Sequence, residues 1–252
     1  MIRSLSTGND ECQSFDNRVL DVLISKKAYA SDGTSGGDRV DVIDGPDGTL
    51  HFVILDLCGH GEEITPLADM ALHTVKALLW QGLRPGRVFA VLNALLLDQS
   101  APTTEHAFGS GTLATVNSDR SAITFCSAGH VDSLLFRRNG RSHLHFVASG
   151  PLYGVDRNAR YEERTFSCKP GDVFVMLTDG LVDIKPIERE GARLGTSGAC
   201  EVIRGLIHSR PGLSAHRLIA AIRRIAGGSF SDDTAALVAS FSDTGKHQSL
   251  TS

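Results

Sequence analysis

The chain has 252 residues, with 25 Lys and Arg against 29 Asp and Glu and a net charge of −4. Hydrophobic residues make up 41% and charged residues 21%, a globular balance that excludes a disordered or collagen-like chain and supplies enough sequence for a large core. The acidic balance excludes a general nucleic-acid binder, no apolar run approaches the roughly 18 residues that span a bilayer, and the N-terminus MIRSLSTGNDECQ lacks the apolar stretch of a signal peptide, so a cytoplasmic protein with neither nucleic acid nor membrane as partner is expected.

In chain order, Val19–Ala30 reads as a strand, followed by the turn-rich loop SDGTSGG. Asp38–Asp44 alternates charged and apolar residues, Gly45–Gly48 (GPDG) is a turn, and Leu50–Leu57 is a buried strand, together a hairpin whose second strand ends at Asp56. From Ile64 the apolar residues recur at helical spacing, with Thr65 as the expected cap, Pro66 at the first helical position and Gly82 at the stop. A second helix is expected over Arg87–Leu97. Strands follow at Thr112–Asn117, Ala122–Ser127, Ser133–Arg138 and Ser142–Ala148, the last two joined by the hairpin signal Asn139-Gly140. Two more strands (Tyr161–Ser167, Asp172–Thr178), two helices (Ala199–Ser209, Ser214–Ala226) and a final strand (Asp233–Phe241) complete the fold, and the tail SDTGKHQSLTS reads as disordered. These strands and four helices, in clusters rather than strict βα alternation, indicate an α+β fold in which two packed sheets are flanked by helices.

The five cysteines, Cys12, Cys58, Cys126, Cys168 and Cys200, are odd in number, and none is spaced C-x-x-C, which argues against a disulfide framework or a structural zinc site. Cys58 is expected to be a small buried residue rather than a nucleophile.

Aspartates recur at strand ends beside Gly or Ser: Asp38 after Gly36-Gly37, Asp56 before Leu57-Cys58-Gly59, Asp179 before Gly180, and Asp232-Asp233 after GGSFS. Taken singly, each is ordinary turn or cap chemistry. If the strands pack in a sandwich, these ends can converge on one edge. Gathered carboxylates repel one another and call for a hard cation, Mg²⁺ or Mn²⁺. Two such ions about 3.5–4 Å apart are the usual centre for phosphoester hydrolysis.

The motifs Gly36-Gly37-Asp38, Asp56-Leu57-Cys58-Gly59-His60-Gly61, Ser127-Ala128-Gly129-His130, Pro151-Leu152-Tyr153-Gly154, Thr178-Asp179-Gly180 and Asp232-Asp233-Thr234 occur in that order. In this the chain resembles the SpoIIE-like bacterial branch of the metal-dependent type 2C protein serine/threonine phosphatases. The resemblance covers residues 28–241, with 1–27 as a lead-in and 242–252 as a flexible tail. It implies an α-β-β-α sandwich, two Mn²⁺ or Mg²⁺ ions, and hydrolysis of phosphoserine or phosphothreonine on a partner-switch protein such as an anti-sigma-factor antagonist. Asp56 would bridge both ions, the Leu57 carbonyl would hold one, and Asp179 and Asp232 the other. Asp38 would bind directly or through water, and Asp233 is the alternative to Asp232. Asp56 and Asp179 are thus the expected catalytic carboxylates. His60, and less so His130, are candidate proton donors to the leaving oxygen, with a loop-bracing hydrogen bond as the alternative role for each.

Arg39 stands where an aromatic residue is common in that family, and is expected to be either a solvated strand residue or a phosphate contact. Glycines in GSGTLATV imply either close backbone approach or a bulge, and Tyr153 interrupts the common Pro-Leu-Gly. The helix after Asp56 could gate the site by shifting. A phosphatase fold without turnover, serving as a binding module, is the competing reading. Gly-Gly-Asp followed by Arg39-Val40 excludes a diguanylate cyclase, and no G-x-G-x-x-G follows a strand to support a Rossmann nucleotide site.

Overall fold

The computed structural model describes residues 11–15, 21–29, 37–58, 64–99, 107–138, 140–147, 150–187, 192–209 and 212–242. Eleven strands among them form two sheets in which neighbouring strands all run antiparallel. Strands β1 (Glu11–Phe15), β2 (Asp21–Tyr29), β7 (Ser133–Arg137), β8 (Ser142–Phe146), β10 (Val173–Leu177) and β11 (Thr234–Ser242) form a six-stranded sheet in the order β1-β2-β11-β10-β7-β8. Strands β3 (Asp38–Asp44), β4 (Leu50–Leu57), β5 (Gly109–Val116), β6 (Ala122–Ala128) and β9 (Arg164–Ser167) form the second, in the order β3-β4-β5-β6-β9. Helices α1 (Ile64–Trp80) and α2 (Pro85–Gln99) pack on the second sheet, and α3 (Gly195–His208) and α4 (Ala215–Ile225) on the first.

The period-2 geometry of strands sorts the side chains into three cores. Phe52 and Ile54 of β4, Ala114 and Val116 of β5, Phe174 and Met176 of β10 and Leu237, Ala239 and Phe241 of β11 meet between the sheets. Val53, Leu55 and Leu57 turn the other way, onto Ala68, Ala71 and Val75 of α1 and Phe89 and Leu92 of α2. Val173, Val175 and Leu177 likewise face Ile203 of α3 and Leu218 and Ile222 of α4. With both faces covered, β4 and β10 are buried almost throughout, which explains why they read as unbroken apolar runs rather than alternating ones. This is the expected α-β-β-α sandwich.

The boundaries differ from expectation where backbone contacts override side-chain signals. Strand β5 begins at Gly109 rather than Thr112 because its glycines are paired with β4: a Cβ on Gly109 would lie 2.5 Å from the Asp56 carbonyl oxygen, and one on Gly111 2.9 Å from that of Ile54. Close approach is therefore the use of these glycines. Helix α1 starts at Ile64, which places Thr65 and Pro66 inside its first turn instead of at its cap. Proline is tolerated there because first-turn N–H groups have no partner within the helix. Ser214 does cap α4, its side chain accepting from the Arg217 N–H. Strand β1 has no counterpart in the expected strands. Strands β7 and β8 form the expected hairpin, although Asn139 lies outside the described residues, as does the tail from residue 243. No helix among the described residues is long and apolar enough to cross a membrane.

Candidate active site

The inward parity of the strands carries past the core to the edge of the sandwich, and there it presents carboxylates. On β4 the series Phe52, Ile54 continues to Asp56, and on β3 the series Val42, Val40 continues to Asp38. The two aspartates are direct cross-strand partners. Like charges placed opposite one another destabilise a sheet unless something neutralises them. From the other sheet, Asp179 follows the end of β10 in a short 3-10 turn (Asp179–Leu181), and Asp232 and Asp233 lead into β11.

The electrostatics show that these groups converge. Burial first, and then Asp56, push the Asp38 carboxyl well above the usual carboxylate range, with Asp179 and Asp233 adding and a hydrogen bond from Thr178 opposing. Asp56 is pushed up to about 7, by burial, then by Asp179 and Asp232. Asp179 is raised by burial and then by Asp232. Asp232 acts more strongly than Asp233 on Asp56, and of the two only Asp232 figures among the causes acting on Asp179. Asp233 acts on Asp38 and, more weakly than Asp232, on Asp56.

Backbone close to the carboxylates is held by missing Cβ atoms. A Cβ on Gly37 would stand 2.1 Å from the Leu57 carbonyl oxygen, and one on Gly180 2.0 Å from that of Asp233. Asp38 Oδ2 is buried and has no hydrogen-bond partner. An orphaned carboxylate oxygen, beside three further carboxylates and a carbonyl in a glycine-cleared space, fits a hard dication held by oxygen.

Two hydrogen-bonded ties cross between the sheets at this edge. Thr178 Oγ1 accepts from the Ala235 N–H at 2.8 Å while its hydroxyl bonds the Asp38 carboxylate. His130 is buried and bridges Leu177 and Ser110, with Nε2 3.0 Å from the Leu177 carbonyl oxygen and Nδ1 2.6 Å from Ser110 Oγ. A carbonyl can only accept, so Nε2 carries the proton and Nδ1 accepts from the Ser110 hydroxyl. Ser110 Oγ lies 3.4 Å from Asp56 Oδ2. His130 thus braces the edge that carries Asp56 and Asp179. Burial, outweighing the bond to Leu177, pushes its pKa down to about 4.

A depressed histidine loses stability towards acid. Above the ordinary value of 6.5 its contribution is complete; as pH falls, the unfolded chain takes up the proton first, and the contribution drains between 6.5 and about 4. His130→Leu, which strands the Ser110 hydroxyl and the Leu177 carbonyl, is expected to destabilise by about 2–3 kcal/mol in urea unfolding at pH 7. His130→Gln, able to donate and accept, should recover part of that loss and remove the titration between pH 6.5 and 4.

The model for Stage II sporulation protein E (SpoIIE) matches residues 46–242. The chain belongs to the SpoIIE-like family of PP2C-type phosphatases. It is 22% identical to the phosphoserine phosphatase RsbU of Bacillus subtilis over 137 residues, which is 54% of this chain and 40% of that protein. Its fold is shared with the PP2C phosphatase domain and regulatory-domain fragment of SpoIIE from Bacillus subtilis (TM-score 0.76, 16% identity, 93% of this chain and 70% of that one). It is also shared with the RsbU and RsbW domains of a Mycobacterium tuberculosis protein (TM-score 0.72, 19% identity, 89% and 61%). A further structure on the same fold is RsbX in complex with magnesium (TM-score 0.62, 16% identity, 92% and 100%). The chain thus spans well under two thirds of the RsbU protein it matches.

The departures from the family pattern have structural reasons. Tyr153, the insertion in Pro-Leu-Gly, is buried against Phe89 (ring centroids 5.9 Å apart) and directs its hydroxyl at the Asp56 carbonyl oxygen, 3.4 Å away. Its backbone exchanges hydrogen bonds with Gly109 at 2.9 and 3.0 Å. The extra aromatic therefore backs the strand end that carries Asp56. Arg39 is not a solvated strand residue. Its Nε bonds Asp69 Oδ1 at 2.7 Å, Nη1 the Asp38 carbonyl at 2.9 Å and Nη2 the Thr65 carbonyl at 3.2 Å, so it ties β3 beside Asp38 to the first two turns of α1.

Cys58 is exposed, contrary to expectation, because β4 ends at Leu57 and leaves it at the site's rim. Partial desolvation, then Asp56 and Asp179, push its thiol up, which removes the thiolate a nucleophile needs. His60 lies outside the described residues, as do Gly59 and Gly61. Ser110, Thr178 and Tyr153 were not among the expected site residues. The only sequence signal for Ser110 is its position between two glycines.

Proposed function

We propose that this chain is a cytoplasmic, metal-dependent protein serine/threonine phosphatase whose substrate is a phosphorylated partner-switch protein of the anti-sigma-factor-antagonist kind. The observation that carries this reading is the convergence of Asp38, Asp56, Asp179 and Asp232 on one sandwich edge with a buried, unpartnered carboxylate oxygen. Family membership and the phosphoserine phosphatase activity named for RsbU support the substrate class. In this reading two Mn²⁺ or Mg²⁺ ions would be held by Asp56, shared between them, by the Leu57 carbonyl on one side and by Asp179 and Asp232 on the other, with Asp38 binding directly or through water. The stronger action of Asp232 on Asp56 and Asp179 supports Asp232 over Asp233. Bound ions of this type neutralise phosphoryl charge and activate water.

The chain's own groups then have defined tasks. Asp56 and Asp38 fix the position of charge on one sheet and Asp179 and Asp232 on the other. The Thr178 and His130–Ser110 ties keep the two sheets in register. Water attacks phosphorus in line with the serine oxygen, the phosphorus–oxygen ester bond breaks, and the serine oxygen leaves as a hydroxyl whose proton comes in net from the attacking water. No side chain forms a covalent bond to phosphorus. Phosphate release from a phosphoserine protein in Mn²⁺ tests the reading. Release is expected; no release from any phosphoprotein, with partner binding intact, would make the chain a binding module instead.

Protons compete with the ions for these carboxylates. A carboxyl with a raised folded pKa stabilises the metal-free fold below its ordinary value of 3.8 and loses that contribution as pH rises through about 7 for Asp56. The rise in melting temperature on adding Mn²⁺ is therefore expected to be small at pH 5 and to grow steeply up to pH 8, read by thermal denaturation. An Mn²⁺ effect independent of pH would contradict it.

A further inference from the structure

We propose that His143, His145 and Cys200 form a second metal site, one that takes a borderline-soft dication of the Zn²⁺ type. His143 and His145 are two residues apart on the edge strand β8 and so share a face, and Cys200 reaches them from α3. Among the described residues this is the one group of three His, Cys, Asp or Glu whose ligand atoms all lie within 4.8 Å of one another. The carboxylates at the phosphoester site do not form such a group. The second site shares no residue with that cluster and does not rest on the phosphatase reading.

The spacing fits a tetrahedral ion. With metal–nitrogen bonds of about 2.0–2.1 Å and metal–sulfur bonds of about 2.3 Å, neighbouring ligand atoms stand about 3.3–3.8 Å apart. Cys200 Sγ and His145 Nε2 are already 3.8 Å apart. His145 is also oriented as a metal-ligating histidine usually is: Nδ1 lies 3.2 Å from Asp132 Oδ2, which leaves Nε2 directed at the thiol. His143 stacks on Phe136, ring centroids 5.6 Å apart, and its Nδ1 accepts from Arg204 Nη2 at 2.9 Å. Its recruitment therefore requires the arginine to swing aside. Two nitrogens and a sulfur select Zn²⁺ over the hard ions that suit the carboxylate cluster. Cys200 is buried while His145 is exposed, so the ion is reached from solvent, with water as the fourth ligand.

Burial, the largest effect, holds the Cys200 thiol up at about 11. The S–H bond therefore breaks only as the sulfur–metal bond forms, its proton passing to solvent. The cysteine spacing gave no sign of this site because its ligands come from a strand and a helix far apart in the chain.

The test uses the full chain carrying Asp56→Asn and Asp179→Asn, which disables the carboxylate cluster, and titrates it with Co²⁺ as a spectroscopic probe. A thiolate-to-cobalt charge-transfer band that saturates at a single equivalent and is displaced by Zn²⁺ is expected. Cys200→Ser should abolish the band. His145→Ala, on an exposed edge strand where folding is not at stake, should weaken Zn²⁺ binding at least about tenfold. Absence of the band, or a Zn²⁺ affinity unchanged by His145→Ala, overturns the site.

Discussion

Asp56→Asn is expected to lower phosphoserine hydrolysis by at least about 10³-fold, since a bound ion supplies several kcal/mol of transition-state stabilisation, and at the same time to stabilise the metal-free protein. Both effects follow from the same geometry. Asp56 faces Asp38 across the β3–β4 ladder and lies within the fields of Asp179 and Asp232. Burial and these carboxylates raise its pKa from 3.8 to about 7, so holding it ionised without a cation costs on the order of 4 kcal/mol at about 1.36 kcal/mol per pH unit. Asparagine matches the protonated carboxyl in shape and carries no charge. The stability difference between the metal-free variant and metal-free wild type should be absent below pH 4, grow between 3.8 and about 7, and stay constant above. Urea unfolding in chelator across that range measures it. A variant that is inactive and also less stable at pH 8 would mean that Asp56 is a structural strand end rather than a charge held in reserve for an ion.

Gly37→Ala is expected to cost at least about 2 kcal/mol of stability, because the new methyl meets backbone that cannot rotate away. The added carbon would stand 2.1 Å from the Leu57 oxygen, 3.1 Å from its carbonyl carbon and 3.3 Å from its nitrogen. Gly37 immediately precedes Asp38, so relieving the clash pushes the start of β3 away from the end of β4. Both Asp38 and the Leu57 carbonyl would move. Mn²⁺ affinity is therefore expected to fall with stability, in contrast to Asp56→Asn, where the two part company. Gly205→Ala is the control: Gly205 lies in α3 with nothing within 4 Å of an added Cβ, and alanine there should be neutral or stabilising by up to about 1 kcal/mol. Calorimetric Mn²⁺ titration with thermal denaturation separates the cases. A Gly37→Ala protein that binds Mn²⁺ normally would contradict the placement of the Leu57 carbonyl among the ligands.

The sandwich was legible because its signals are local. Helical spacing from Ile64 reports burial on one face, the run HFVILDL reports burial on both, and the six ordered motifs imply the family directly. The convergence of the carboxylates was legible only as a condition, since Asp38, Asp56, Asp179 and Asp232 are separated by up to 194 positions and meet only once two sheets have packed. The residues that support them were not legible. Ser110 matters through His130, which matters through the carbonyl of Leu177, and no periodicity encodes a chain of hydrogen bonds between sheets. Arg39 reads as a solvated strand residue because its partners, Asp69 and the Thr65 carbonyl, belong to a helix in another part of the chain. Cys58 reads as buried from composition alone, and is exposed because β4 ends one residue earlier.

Removal and return of the metal decides whether the carboxylate edge is a metal-dependent catalytic centre. Phosphate release from a phosphoserine protein should fall to background when the chain is stripped with chelator and recover when Mn²⁺ is restored. Asp56→Asn should stay at background throughout. Hydrolysis that persists in chelator would contradict the account.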